Sequence, residues 1–178
     1  KKDNRIKYVE HEKNRGLFQA RITGFENSTG KYIAFLDADD YVSNDFYREL
    51  IEKAEETNSD IVISKLVMDY GKGNKKIYNL FDFPFEELNG EECYEQFYNQ
   101  EGLNFSWHIT PNKIYSRKIW EKAIKEYQKI DKHLIMTEDF AFSNVLFYYA
   151  EKVTKVDRVA FYYTKHDGAS TSVNNMSF

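Results

Sequence analysis

Tyr32-Ile33-Ala34-Phe35-Leu36-Asp37-Ala38-Asp39-Asp40 is a short, mostly apolar run that leads directly into three carboxylates. A run of this length, bounded by turn-forming residues, is typical of a buried strand, most readily an inner strand of a parallel sheet. Ligands of open α/β sheets bind just beyond the carboxyl ends of the strands. The sequence therefore predicts that Asp37, Asp39 and Asp40 lie at a ligand-binding crevice.

These carboxylates have two interpretations. Anionic oxygen atoms are the ligands that a hard divalent cation such as Mg²⁺ or Mn²⁺ prefers. Alternatively, the aspartates only begin a turn and cap the helix that starts near Asn44. One aspartate would satisfy a cap, whereas three follow this strand, so we favour a metal site.

The segments around this stretch alternate between strand and helix patterns. Before it, residues 6–9 are predicted as a strand, and a helix follows from Gly16 with one face made of Leu17, Ala20, Arg21, Gly24 and Phe25. After it, a helix over 44–57 leads into a strand over 60–67. This order is typical of a parallel or mostly parallel sheet with helical cover.

Arg21 is the unusual member of its helical face. Its side chain could be an amphipathic stem that keeps the charged head in solvent. It could instead direct the guanidinium toward a phosphate or a base in the crevice. The residues by themselves favour the first interpretation.

The second half of the chain mixes shorter elements. The predicted features, in order, are a basic turn over 72–76 between antiparallel strands, a capping box at Asn89-Gly90-Glu91-Glu92, an irregular segment over 104–111, a helix capped by Ser116, a helix after Thr137-Glu138-Asp139, and two strands over 152–156 and 158–163.

Composition limits the class of protein. The 178 residues suffice for one full-sized domain, and no apolar run approaches the length of a membrane span. A net charge of −4 and a pI near 5.7 give no basic footprint for nucleic acid, so we expect no nucleic-acid partner. The single cysteine, Cys93, cannot form an internal disulfide, which fits a reducing, cytoplasmic compartment.

Four segments, in order, cover nearly the whole chain: Asn14-Arg15-Gly16-Leu17-Phe18-Gln19-Ala20-Arg21, Gly30-Lys31-Tyr32-Ile33-Ala34-Phe35-Leu36-Asp37-Ala38-Asp39-Asp40, Asn112-Lys113-Ile114-Tyr115 and Glu138-Asp139. Together they resemble the inverting glycosyltransferases of family 2, which have the GT-A fold. The Asp-x-Asp element alone is a weak signal, and the four in order are a strong one.

The resemblance implies a fold and a division of the chain. The fold is α/β, a Rossmann-like GT-A arrangement with a mostly parallel mixed sheet flanked by helices. Residues 1–178 would form a single domain, with 1–67 as the nucleotide-sugar and metal half and 68–178 as the acceptor half. Family members begin with a strand, a helix and a strand that have no counterpart here, so we expect the domain to be N-terminally truncated.

The resemblance also implies the donor side of the site. Asp37 would contact the nucleoside of a nucleotide sugar, and Asp39 would bind the Mn²⁺ or Mg²⁺ through which the diphosphate is held. Arg21 would line the nucleotide pocket, and Asp40 and Lys113 would belong to the same donor site. A polar contact that the family commonly makes beside this arginine is in doubt, because Ile22 replaces its usual asparagine.

The remaining candidates belong to the catalytic, acceptor and metal positions. Asp139 would be the general base, with Glu138 beside it, although acids near a helix N-terminus are also common for stability alone. His166 would complete the metal or diphosphate site. Trp107 and His108 would contribute to an acceptor surface, because aromatic faces suit sugar rings, although core packing explains them equally well.

The implied reaction is metal-dependent transfer of a sugar, with inversion, to a glycan or lipid-linked acceptor, as in bacterial surface polysaccharide synthesis. The expected donor is a sugar linked to uridine diphosphate. A carboxylate must take the proton of the poorly nucleophilic acceptor hydroxyl, and a cation would neutralise charge on the departing diphosphate. We expect a cytoplasmic location, and a lipid-linked acceptor would add peripheral association with the inner face of the cell membrane.

Two other functions stay open. A Mg²⁺-dependent phosphohydrolase also uses an apolar strand that ends in Asp-x-Asp, but it leaves residues 14–21 and the Asn112-Lys113 element unexplained. A non-catalytic GT-A fragment used for binding or assembly would follow if the chain truly lacked half of the nucleoside pocket.

Overall fold

The computed structural model describes residues 3–78, 85–98, 105–130, 134 and 138–165, which form one sheet with helices on both faces. The elements within these residues are α1 (Gly16–Glu26), β1 (Tyr32–Ala34), β2 (Tyr41–Val42), α2 (Phe46–Thr57), β3 (Ile61–Asp69), β4 (Lys75–Ile77), β5 (Glu87–Asn89), α3 (Glu91–Tyr98), α4 (Phe105–His108), β6 (Lys113–Ser116), α5 (Arg117–Tyr127), α6 (Glu138–Tyr149) and β7 (Lys152–Thr164).

The sheet is mixed, as predicted, but its pairing is not mostly parallel. The strand order is β1-β6-β3-β7-β2, with β4 added to β3 and β5 added to β7. Among the described pairs only β3 and β7 run parallel, and the other five pairs are antiparallel. β3 and β4, for example, are joined by a short turn and pair antiparallel. Parallel neighbours need a long crossover connection, which this turn cannot provide.

β1, which contains the apolar run, occupies the end of the described sheet. It pairs with β6, from Tyr32 opposite Ser116 to Ala34 opposite Ile114. Ile33 is buried, whereas Ala34 and Leu36 are exposed. The predicted inner position in a parallel sheet is therefore wrong for the described part of the chain.

Three further predictions of local structure are corrected. Residues 6–9 form no strand, and Ile6 and Tyr8 are largely exposed. The two predicted closing strands are one strand, β7, whose pairing with β3 shifts register between the partners of Ser64 and Lys65. A bulge of this kind lets one strand continue past the residues that the sequence pattern marks as a break. The predicted irregular segment contains the short helix α4.

Local signals predicted several element boundaries correctly. The backbone N–H of Asn89 donates to Glu92 Oε2 (3.2 Å) at the start of α3, as the capping box requires. Ser116 Oγ accepts from the N–H of Ile119 (3.4 Å) at the start of α5. The basic turn closes the antiparallel β3–β4 pair.

Two apolar cores lie on opposite faces of the sheet. The larger one packs α1, α3, α5 and α6 against the sheet and contains Phe18, Trp120 and Phe142. The smaller one packs α2 against the other face through Phe46 and Leu50. The buried side of α1 differs from the predicted face, because its buried members are Phe18, Arg21, Ile22 and Phe25. Across the described elements, none of the helices has both the length and the apolar character needed to cross a bilayer.

Candidate active site

Arg21 links two carboxylates that come from distant parts of the chain. α1 carries its side chain into the protein, where only 4% of it is exposed. The guanidinium donates to Asp139 Oδ1 and to Asp37 Oδ1, the second contact at 3.4 Å. Its carbon lies 5.5 Å from the centre of the Phe35 ring. The solvent-facing interpretation of Arg21 is therefore wrong, and the residue joins the two halves of the site.

Asp37 follows β1 at the edge of this cluster. Its side chain is 34% exposed, and its carbonyl oxygen accepts from the N–H of Asp40 (3.2 Å) across a tight turn. Partial burial raises the pKa of the Asp37 carboxyl; the nearby Arg21 opposes this effect, and the charge of Asp139 adds to it. Two carboxylates, those of Asp37 and Asp139, thus lie around the buried guanidinium of Arg21.

Asp39 and Asp40 occupy different positions in the same turn. Asp39 is exposed, as a carboxylate that meets a ligand should be. Asp40 Oδ1 accepts from the backbone N–H of Thr164 (2.8 Å) and so ties the turn to the end of β7. Asp40 therefore has a structural contact, and its role in binding the nucleotide sugar stays a prediction.

Asp139 lies in the first turn of α6, beside Glu138. Its Oδ1 atom accepts from Thr110 Oγ1 (2.6 Å) and from Thr110 N (3.3 Å), in addition to Arg21. About a third of the side chain remains exposed (29%). Glu138 is partly buried, and this burial raises the pKa of its carboxyl. Thr110 is not among the predicted site residues, because a lone threonine before a proline gives no signal of such a contact.

Lys113 is placed behind this cluster. Its side chain is fully buried, and Nζ donates to the carbonyl oxygen of Ile109 and to Asn112 Oδ1, both at 2.6 Å. Burial lowers the pKa of its ammonium well below the usual value, against the attraction of Asp139. A lysine side chain with no exposed surface cannot contact a bound nucleotide sugar in this arrangement. The predicted place of Lys113 in the nucleotide-sugar site is therefore wrong.

Trp107 and His108 also lie in the interior. Trp107 is 1% exposed and packs against Phe147 at 5.5 Å between ring centres. His108 contacts the rings of Phe97 and Phe140. Neither ring offers a face to a sugar, so the predicted acceptor surface is wrong for both residues and the core-packing alternative holds. His166 lies outside the described residues.

The carboxylate oxygens of this cluster fit a divalent cation whose remaining ligands come from a bound substrate. In the part of the chain that the structure describes, no three His, Cys, Asp or Glu side chains lie together as a ready metal site. Mg²⁺ is commonly bound by one or two carboxylates together with substrate phosphates and water. The exposed Asp39, near Asp37, would supply hard oxygen atoms for such a partial site.

The chain is similar in sequence to known glycosyltransferases. EpsJ of Bacillus subtilis, described as an uncharacterized glycosyltransferase, is 29% identical over 174 residues, which cover 97% of this chain and 48% of that protein. The cholesterol galactosyltransferase of Borreliella burgdorferi is 27% identical over 93% of this chain and 46% of its own length. The chain therefore spans about half the length of these relatives.

A solved structure and a family model complete the comparison. The structure of Staphylococcus aureus TarS 1-349 in complex with UDP-GlcNAc superimposes with a TM-score of 0.62 and 22% identity, covering 92% of this chain and 43% of that one. This likeness supports the GT-A type of mixed sheet with flanking helices. The model of glycosyl transferase family 2 matches residues 1–124. The chain belongs to glycosyl transferase family 2.

Proposed function

We propose that the protein containing this chain transfers a sugar from a nucleotide-sugar donor to a glycan or lipid-linked acceptor, with a divalent cation and with inversion. The observation that carries this proposal is the bridge from Arg21 to Asp37 and Asp139. It joins the carboxylate after β1, where a donor would bind, to a carboxylate at the start of α6 that could act as a base. This bridge would hold both carboxylates at one cleft, where the donor and the attacking hydroxyl must meet.

Asp139 is the proposed general base. The acceptor hydroxyl oxygen attacks the anomeric carbon, the bond to the diphosphate breaks, and the hydroxyl proton passes to the Asp139 carboxylate. It lies in the first turn of α6 and shares Arg21 with Asp37. A single displacement of this kind inverts the anomeric centre.

The donor is proposed to bind at the turn after β1. Asp37 would contact the nucleoside, Asp40 would hold the turn, and Asp39 would bind Mn²⁺ or Mg²⁺, with His166 as a further ligand. The cation, when bound, would neutralise the charge on the departing diphosphate. The TarS complex contains UDP-GlcNAc, which supports a uridine diphosphate sugar as the donor. Arg21 is proposed to act on the donor through Asp37 rather than by direct contact.

The proposal extends to the acceptor and to the cellular location. Glu138, next to the base, would line the acceptor side of the cleft. The name of the cholesterol galactosyltransferase supports a lipid acceptor, and we propose that the product is a glycolipid or a surface polysaccharide. A cytoplasmic location, with peripheral contact to the inner face of the membrane, would give access to such acceptors.

The test is sugar transfer from UDP-GlcNAc and related donors by the full natural protein. We expect the Asp39→Ala variant to lose transfer, because alanine removes the carboxylate that would hold the cation against the diphosphate. Asp157→Ala serves as the matched control, since this exposed aspartate belongs to the distant bulge region of β7. Full activity in excess chelator would rule out the metal role. Release of phosphate from an aryl phosphate, without sugar transfer, would favour the phosphohydrolase instead.

A further inference from the structure

The segment over residues 109–113 is buried although it is rich in polar groups. Thr110, Asn112 and Lys113 each have less than one per cent of their surface exposed. Buried polar groups are costly unless they form hydrogen bonds. The arrangement of their partners therefore indicates what the segment does.

The hydrogen bonds of this segment fix its shape from within. Lys113 Nζ donates to the carbonyl oxygen of Ile109 and to Asn112 Oδ1, so its ammonium closes the segment on itself. The carbonyl oxygen of Asn112 accepts from both the N–H and the Oγ of Ser64, each at 2.9 Å, which attaches the segment to β3.

Two further contacts hold the ends of the turn. Tyr115 Oη donates to the carbonyl oxygen of Thr110 (3.2 Å). Ser143 Oγ, on α6, donates to the carbonyl oxygen of His108 (2.7 Å). The segment is thus tied both to the sheet and to the helix that carries Asp139.

The result of this bracing is the direction of Thr110. Its N–H and its hydroxyl both point at Asp139, and both reach the same oxygen, Oδ1. Arg21 donates to that oxygen as well. Among the described residues, Oδ2 of Asp139 receives none of these hydrogen bonds.

We propose that Thr110 is a positioning residue that commits Oδ1 of Asp139 to the protein and leaves Oδ2 to accept the proton of the acceptor hydroxyl. A carboxylate fixed through one oxygen presents the other in a single direction, and small errors in the placement of a catalytic group can cost about 100-fold in rate. Lys113 acts indirectly, because its hydrogen bonds hold the backbone turn that orients Thr110. The inference rests on the proposed role of Asp139 as the base.

The first test compares Thr110→Val with Thr110→Ser in the full natural protein. Valine keeps the shape and loses the hydroxyl, so we expect kcat to fall about 10- to 100-fold, with the acceptor KM and the affinity for UDP-GlcNAc within about twofold. Serine keeps the hydroxyl, so kcat should remain within about threefold of the natural enzyme. If the valine variant does not fold, Thr110→Ala takes its place.

A matched control separates positioning from the loss of any buried hydroxyl. Thr154 on β7 is 1% exposed, and its Oγ1 lies 3.0 Å from Ser59 Oγ, away from the site. Thr154→Val removes an equally buried hydroxyl and should leave kcat unchanged. An equal loss of kcat in the Thr110 and Thr154 variants would overturn the inference, as would a serine variant that is as slow as the valine variant.

The Asp139→Asn variant separates the proposed role of Asp139 as the base from the positioning role of Thr110. If this variant keeps its turnover, Asp139 is not the base and the proposed function itself fails. If it loses turnover while Thr110→Val does not, only the positioning role of Thr110 fails. Lys113→Met should lower kcat without weakening UDP-GlcNAc binding; weaker binding with an unchanged kcat at saturation would make Lys113 a donor ligand and would contradict its assigned role.

Discussion

At the scale of single residues, the proposed site places the buried guanidinium of Arg21 between the carboxylates of Asp37 and Asp139. Arg21 lies 118 positions before Asp139 in the chain, so the contact forms only when α1 and α6 are both in place. A guanidinium buried to this extent needs paired carboxylates, because an unpaired buried charge costs several kcal/mol. The same contact that would organise catalysis therefore also favours the folded arrangement of its two helices.

His108 gives a prediction of pH dependence at this scale. Its Nδ1 atom is buried and has no hydrogen-bond partner among the residues that the structure describes. Burial, with a smaller effect of Lys113, lowers the pKa of His108 to about 4. In the unfolded chain the pKa of a histidine is about 6.5. Between these values the unfolded chain takes up a proton that the folded chain does not, so stability falls as the pH falls through this window.

We expect His108→Leu to remove this dependence. Between pH 7.5 and pH 5, His108 should cost the natural protein about 1–2 kcal/mol of its free energy of unfolding. The leucine variant should not show this loss. Denaturant unfolding at the two pH values measures the difference directly. Parallel stability curves for the two proteins would show that His108 titrates in the folded state as it does in the unfolded one.

At the scale of elements, local signals predicted what depends on a few neighbouring residues. The start of α3 is set by Asn89 and Glu92, and the start of α5 by the hydroxyl of Ser116. These contacts span three residues, so the sequence pattern contains all of their chemistry. The turn between β3 and β4 is predictable for the same reason.

The errors concern contacts that the local pattern does not contain. The apolar run before Asp37 predicts a buried strand, but its hydrophobicity does not specify which strand pairs with it or in which direction. Trp107 and Lys113 have residue types that suit a ligand as well as a core. Trp107 packs against Phe147 of α6, and Lys113 is fully buried; the local pattern contains neither fact. The hydrogen bonds from Thr110 to Asp139 are absent from the sequence prediction for the same reason.

Asp60 provides a prediction for the junction of several elements. It is 7% exposed and precedes β3. Its carboxylate accepts from Ser116 Oγ (2.7 Å), at the end of β6, and from the N–H of Glu151 (2.9 Å), just before β7.

Asp60→Ala would leave these donors without their partner, so we expect a loss of about 2–4 kcal/mol in the free energy of unfolding. Denaturant unfolding measures the loss, with Asp157→Ala as the exposed control. A loss no larger than that of the control would mean that water or another group replaces the Asp60 carboxylate.

At the scale of the whole molecule, the two cores have different relations to the site. The larger core joins α1 and α6, the helices that carry Arg21 and Asp139, and Phe18 stacks on Phe142 with ring centres 4.6 Å apart. The smaller core lies on the opposite face of the sheet and packs α2, which carries none of the proposed catalytic residues. Stability should therefore depend on both cores, and catalytic geometry mainly on the larger one.

The last prediction separates these contributions with two matched substitutions, Phe142→Leu in the larger core and Phe46→Leu in the smaller one. Both phenylalanines are at most 1% exposed, so each change should cost about 1–2 kcal/mol of stability. At a temperature where both variants are fully folded, only Phe142→Leu should lower kcat, by about tenfold, because the Arg21–Asp139 contact depends on the packing of α1 against α6. Equal losses of kcat in both variants, at equal loss of stability, would show that the site follows overall stability rather than the contact between these two helices.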